Sequence, residues 1–215
     1  MLKFYFAPWS RASSILWLIE ELGVDHEIVE IDIRQEGGVP EDYRQIQPSK
    51  KVPAIEHDGI VVTERAAIAI YLADAFPQAG LAPAIGDPMR ARYLTMIVYC
   101  DAVFDPAMAA RAHGLTYESN DYSFGVFEDM VSYLDRMLTE RPFAAGDRFT
   151  AADTQLASGI GYGIHVLKTL PEKPSFKAYL ERVAQRPAKK RADEIDQRMA
   201  MASPSLQKWM AAQQA

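Results

Sequence analysis

Cysteine is nearly missing from this chain of 215 residues. Cys100 stands alone, so no disulfide can close within it. A reducing compartment fits that usage, and a cytoplasmic location is the expectation. Long apolar runs are missing too. No stretch approaches the ~20 apolar residues that a membrane helix needs. The first residues hold Lys3 and a short apolar stretch, but Pro8, Ser10 and Arg11 interrupt it, which argues against a signal peptide. There is no block of basic residues of the kind that binds nucleic acid. His57, His113 and His165 are isolated, and no His, Cys, Asp and Glu set has metal-ligand spacing, so no metal is expected. Internal repeats are absent.

What remains is an ordinary globular composition, 49% hydrophobic and 24% charged, in a chain long enough for one large or two small cores. Net charge is −6, and it is unevenly placed. Residues 1–76 carry 7 basic and 13 acidic side chains, whereas residues 77–215 carry 16 of each. An acidic first part that binds an anion must use local donors, not its overall field.

The pattern changes along the chain. Leu2 to Phe6 reads as a short aromatic-rich strand. Pro8-Trp9-Ser10 breaks it. Ser13 to Leu22 has apolar residues at helical spacing, and Gly23 stops that helix. His26 to Ile33 alternates as a second strand. A turn of helix is expected around Asp42 to Ile46. Val52 to Glu56 and Ile60 to Thr63 flank Asp58-Gly59, a strong hairpin signal. A third helix follows to Phe76. The order β-α-β-α-β-β-α predicts an α/β thioredoxin-like layer with a four-stranded mixed sheet. Phe76 to Asp87 is rich in Pro, Gly and Ala and reads as a linker. From Pro88, capped by Asp87, the periodicity is helical, with helices expected near 88–112, 121–139, 150–167, 174–185 and 188–199. Thr150 to Asp153 has the form of a capping box, with Asp in place of the usual Glu. The last dozen residues read as a tail with one anchor, Trp209. The predicted domains are 1–76, a linker at 77–87, and an all-α part at 88–215.

Lys51-Val52-Pro53-Ala54-Ile55, followed closely by Thr63-Glu64-Arg65 and a helix, carries the chemistry. Pro53 cannot donate to a sheet ladder, so it stands at a strand start or edge. That leaves the backbone of Val52 to face a ligand. Glu64 opens a helix whose N–H groups and dipole attract an anion. A peptide ending in a carboxylate fits both features. Taken separately, each half is an ordinary strand start or an ordinary amphipathic helix.

In order, a strand with a Pro-x-Ser turn, Lys51-Val52-Pro53, Glu64, and an all-α part capped at Thr150–Asp153 resemble the glutathione S-transferase family, in its serine-using phi or theta-like form. The resemblance covers nearly the whole chain. It implies glutathione as co-substrate, a small apolar electrophile as second substrate, a homodimer, and a cis Val52–Pro53 bond. A thiol near pKa 8.5 is mostly protonated at neutral pH, and lowering it by two units takes about 2.7 kcal/mol of differential stabilisation. Ser10, expected at the first helix's N-cap, matches the serine that faces the sulfur. Tyr5 is the rival, because some classes use a tyrosine at the end of the first strand; otherwise it is a core aromatic. Ser13, or backbone N–H groups alone, are the further donors. Arg11 adds charge near the sulfur or is simply solvated. Residues 1–99 hold no cysteine, which argues against the thiol-exchange classes.

The resemblance places Val52 and Pro53 at the cysteinyl unit, Lys51 at the glycyl carboxylate, and Glu64 at the γ-glutamyl ammonium. Arg65 departs from the family's serine: its guanidinium either replaces that hydroxyl or obstructs the site. Lys50 departs from the usual glycine. Tyr99, Phe104, Met108 and Arg111 are candidates for the electrophile pocket, and equally for helix core. The reading is a glutathione transferase. Its rivals are a specialised glutathione-dependent isomerase, ether-cleaving enzyme or dehalogenase, and a non-catalytic binding module of the same fold.

Overall fold

The computed structural model describes residues 1–213. It divides into two compact units. The first is Met1–Ile68 together with the segment from Pro187 onward, and the second is Ala69–Arg186.

The first unit is built on strands β1 (Leu2–Phe6), β2 (His26–Glu30), β3 (Ala54–His57) and β4 (Ile60–Thr63), with helix α1 (Ser13–Leu22) and the start of α2 (Arg65–Ala75), which runs across the boundary between the units. The sheet order is β2-β1-β3-β4. β1 runs parallel to β2 and antiparallel to β3, and β3 pairs antiparallel with β4. This is the four-stranded mixed sheet that the sequence predicts. Strand alternation sends Leu2, Phe4 and Phe6 into the core at 0–2% exposure. Seven of the ten residues of α1 are buried, which fixes that helix by packing. The hairpin turns at Asp58 and Gly59, with φ 50 and 84, as the Asp-Gly pair predicts. β2 ends at Glu30, three residues before the expected limit. The turn near Asp42 is a short 3-10 helix, Glu41–Gln45.

The second unit is helical: α3 (Met89–Tyr99), α4 (Asp105–Ala112), α5 (Phe127–Glu140), α6 (Ala151–Gly161) and α7 (Pro174–Ala184). Asp87 Oδ1 accepts the Met89 N–H at 2.8 Å, the expected cap. α3 and α4 are joined by a π-helical turn at Cys100–Phe104, and α6 ends in another at Tyr162–Val166. The sequence reading did not separate these turns from α-helix. α6 lies so close to the first turn that a Cβ on Gly159 would stand 2.7 Å from the Phe104 ring. α5 starts six residues later than expected. Before it, Tyr117, Tyr122 and Phe124 hold one another at 5.2–5.5 Å between ring centroids. The Tyr117 hydroxyl donates to the Gly125 carbonyl at 2.9 Å, and this aromatic knot displaces the first helical turn.

Two further helices, α8 (Pro187–Ala202) and α9 (Pro204–Gln213), complete the described chain. The expected tail is thus mostly helix. Its anchor is real: the Arg34 guanidinium lies 4.9 Å over the Trp209 ring, and Ser205 Oγ donates to Asp32 at 2.8 Å.

The compact units differ from a partition at 1–76, 77–87 and 88–215, first because they divide after Ile68, inside α2. α8 packs on α1, so the end of the chain joins the sheet. The segment 77–87 is no free linker either. Leu81 is buried and its carbonyl accepts the Ala151 N–H at 2.9 Å, which ties it to α6.

Candidate functional site

Register brings the site together. Ala54 pairs with Tyr5 on one side and with Thr63 on the other. The turn after β1, the residues before β3 and the residue after β4 therefore leave the same end of three adjacent strands, each ~4.8 Å from the next. These segments carry Ser10, Lys51-Val52-Pro53 and Glu64.

Val52–Pro53 is a cis peptide bond, as expected. The ladder begins at Ala54, so Val52 lies outside it. Lys51 is exposed, Val52 half-buried and Pro53 buried. Lys50 has φ 53, in the left-handed region. That explains why glycine suits the position. Here the Lys50 ammonium donates to the Val39 carbonyl and to Glu41, both at 2.9 Å, which offsets part of the backbone cost.

Glu64 is exposed, with φ 66. Its carbonyl accepts the Ile68 N–H at 2.9 Å, so it is the N-cap of α2. A non-glycine residue in this conformation carries backbone strain that its surroundings must hold. Arg65 follows it and is only 6% exposed.

Gln47 joins the two motifs and was missed by the sequence reading. It is 4% exposed. Its Oε1 accepts the Lys51 N–H at 3.0 Å, and its Nε2 donates to Glu64 Oε1 at 3.3 Å. The Tyr43 hydroxyl donates to the Lys51 carbonyl at 3.1 Å. Only the position of Gln47 before Pro48, four residues ahead of Lys51, hinted at this bridge.

Ser10 is half-buried in the turn between β1 and α1. Its hydroxyl donates to the Ala7 carbonyl at 2.7 Å and accepts the Ala12 N–H at 3.1 Å. It is not the N-cap that the sequence predicts. α1 starts at Ser13, and Ser10 closes the turn before it, its carbonyl accepting the Ser13 N–H at 3.1 Å. Arg11 beside it is half-buried. Of the other donors, Ser13 is half-buried and its side chain stands beside Asp196; Ser14 is buried and donates to the Arg11 carbonyl at 3.2 Å.

Tyr5 points elsewhere. It is 8% exposed, packs on Tyr43 at 5.8 Å between ring centroids, and donates to Glu56 Oε2 at 3.2 Å. Burial first, then the Glu56 carboxylate, raise its phenol's pKa. It has the surroundings of a core aromatic.

The four electrophile-pocket candidates are not equivalent. Phe104 and Met108 are 1% exposed and belong to the core of the second unit. Tyr99 is half-buried against Tyr133, at 5.1 Å. Arg111 is exposed, paired with Glu128 and 4.2 Å over the Phe127 ring. Among the described residues no group of His, Cys, Asp and Glu is arranged to hold a metal ion, and no helix is long and apolar enough to cross a membrane.

A thioredoxin-like sheet with a cis-Pro strand start, an acidic helix cap beside it and a following helical part defines the class. Residues 2–74 match the glutathione S-transferase N-terminal domain, and residues 115–191 match the glutathione S-transferase C-terminal domain. A sphingomonad glutathione S-transferase solved in complex with glutathione is 30% identical, with a TM-score of 0.72, over 90% of this chain and 98% of that one. A glutathione transferase from Methylococcus capsulatus is 29% identical, with a TM-score of 0.76, over 91% and 98%. Glutathione S-transferase GstA of Escherichia coli O157:H7 is 26% identical over 86% of this chain and 94% of that protein. The chain belongs to the glutathione S-transferase family.

Proposed function

We propose that this enzyme is a glutathione transferase in which the Ser10 hydroxyl stabilises the thiolate of glutathione for attack on a small apolar electrophile. The observation that carries the reading is the Tyr5–Ala54–Thr63 register, reinforced by Gln47 between Lys51 and Glu64. Val52 contributes backbone to the cysteinyl unit, and Pro53 fixes the strand start. Lys51 meets the glycyl carboxylate. Glu64 meets the γ-glutamyl ammonium, and Arg65 and the start of α2 meet the γ-glutamyl carboxylate.

The chemistry needs little else. The thiol loses its proton to solvent, the sulfur forms a bond to the electrophilic carbon, and the leaving group departs with the electron pair. Ser10 already receives the Ala12 N–H, so its own hydrogen need only turn from the Ala7 carbonyl to the sulfur. Arg11 adds positive charge to the same turn. The electrophile is taken by the helical part, with Tyr99 and Arg111 the candidates that stand outside its core. The family's homodimer and a cytoplasmic location complete the reading. Spectrophotometric titration of glutathione bound to the parent protein and to Ser10→Ala tests it. The thiolate band should appear near neutral pH in the parent and at clearly higher pH in the variant. Equal titration curves, with glutathione bound in both, would sink the role of Ser10.

A further inference from the structure

Helix α8 buries one stripe, Ala188, Ala192, Asp196 and Ala200, at 0–8% exposure. The spacing is i, i+4, and three members are alanine. A carboxylate stands where packing alone would choose a fourth alanine. Buried polar groups of this kind are retained for a partner. Asp196 has one: its Oδ1 accepts the Trp9 N–H at 2.8 Å.

Trp9 has φ 50, a conformation that a bulky residue holds only when its surroundings impose it. It immediately precedes Ser10. The rest of α8 packs on α1. Lys189 lies 5.4 Å over the Trp17 ring. Arg191 Nε donates to Glu20 Oε2 at 2.8 Å, and its Nη2 donates to the Glu20 carbonyl at 3.0 Å. Asp196 is therefore delivered to the turn ahead of α1 by a helix that is tied to α1 at Trp17 and Glu20 as well. Burial raises the pKa of the Asp196 carboxyl, and Ser13 beside it and the Trp9 N–H oppose that rise.

We infer that Asp196 is a positioning residue for Ser10: it clamps the Trp9 backbone, and so fixes where the next residue's hydroxyl stands. The inference rests on the reading of Ser10 as sulfur donor. It assigns the end of the chain a part in the chemistry of the first unit, through a bond between residues 187 positions apart.

The test uses the full chain with Asp196→Ala, Asp196→Asn, Ser10→Ala and the Ser10→Ala/Asp196→Ala double variant. Alanine completes the stripe, so α8 stays packed. Asparagine keeps an acceptor oxygen for Trp9. Amide hydrogen exchange over residues 7–12 should rise in Asp196→Ala and stay near the parent in Asp196→Asn. Glutathione affinity by calorimetry should hold within about twofold in both. Asp196→Ala should lower kcat about tenfold with KM little changed, and raise the pKa of the bound thiol by about half a unit to one unit. Asp196→Asn should recover most of this. On the Ser10→Ala background, Asp196→Ala should add almost nothing. Unchanged exchange in residues 7–12 overturns the clamp, whatever happens to activity. Faster exchange with an unchanged thiol pKa overturns its link to Ser10. Equal losses with and without the Ser10 hydroxyl overturn it as well. Failure of the Ser10 reading looks different: Ser10→Ala alone is then fully active while the clamp still answers in exchange.

Discussion

Two polar starts of buried helices can be set side by side. At the start of α6, Asp153 is fully buried and has four donors. The Thr150 N–H gives 2.8 Å, the Thr150 hydroxyl 3.1 Å, the Ala144 N–H 2.7 Å and the Tyr179 hydroxyl 2.9 Å. Burial pushes the Asp153 carboxyl up to about 6, and those donors hold it below neutral pH. No residue from Thr150 to Asp153 has positive φ. Ahead of α1, Ser10 is half-buried, and its one hydrogen goes to a carbonyl three residues back. Its neighbour Trp9 is held at φ 50. The first network has every lone pair committed and nothing left to offer a ligand. The second has a hydrogen that can be redirected and a backbone held in place from outside. A closed network stabilises the fold; an open, strained one suits chemistry.

The comparison breaks most visibly at Asp153. Asp153→Ala removes the reciprocal half of the capping box and leaves the Ala144 N–H and the Tyr179 hydroxyl without that acceptor in the core. Stability should fall by about 3–5 kcal/mol, read as the denaturant midpoint. Glutathione affinity of the protein that remains folded should change less than about twofold. A large loss of affinity with stability intact would erase the distinction between the two networks.

Ser10→Ala should do the reverse. Conjugation activity should fall by one to two orders of magnitude, about 1.4–2.7 kcal/mol of transition-state stabilisation. The denaturant midpoint should shift little, because the lost bonds are local and half solvated, and glutathione binding should stay nearly intact. Steady-state kinetics beside an unfolding curve decide it. A variant that unfolds early and conjugates normally would make Ser10 a cap and nothing more.

Legibility in the sequence follows the same division. Elements set by local signals were readable: the helix stop at Gly23, the Asp58-Gly59 hairpin, the Asp87 cap, and the Thr150–Asp153 box. The order of the site motifs was readable too, because strand and turn signals place them at one sheet end. What escaped depends on partners far away in the chain. Gln47 meets Glu64 seventeen residues on, and Asp196 meets Trp9 across nearly the whole sequence. Nothing local to the Ala188–Ala200 stripe points from its carboxylate to that partner. The α9 helix looked like a tail because ten residues with two alanines, two glutamines and one tryptophan show little amphipathic pattern. The placement of Ser10 as N-cap was off by two residues, since Pro8 and Trp9 need a turn of their own before α1 can begin.

Arg65 sharpens the comparison from the middle, because it is buried like Asp153 yet sits beside Glu64 like a ligand group. A charge-assisted bond to the γ-glutamyl carboxylate is worth about 1.5–3 kcal/mol. Arg65→Ala should raise the KM for glutathione roughly tenfold with kcat little changed, and Arg65→Ser should recover part of the loss. Its burial adds a second expectation, a loss of about 1–3 kcal/mol of stability from the vacated volume and lost contacts. Tighter glutathione binding in Arg65→Ala would mean that the guanidinium obstructs the site, and would favour a non-catalytic role for the fold.

The smallest effect should come from Tyr5→Phe. The ring keeps its packing on Tyr43, and only the 3.2 Å bond to Glu56 is lost. Glu56 retains Lys3, whose ammonium donates to its other oxygen at 3.3 Å, so the carboxylate is not stranded. The cost should be about 0.5–1.5 kcal/mol of stability, with kcat and the thiol titration unchanged within about twofold. The phenol gives its hydrogen to Glu56 from a cluster with Tyr43 and Ala54, whereas Ser10 stands in the turn beyond β1. If Tyr5→Phe instead raises the bound thiol's pKa while Ser10→Ala does not, the phenol must leave Glu56 when glutathione binds. The open network would then be the one on the sheet, not the one in the turn.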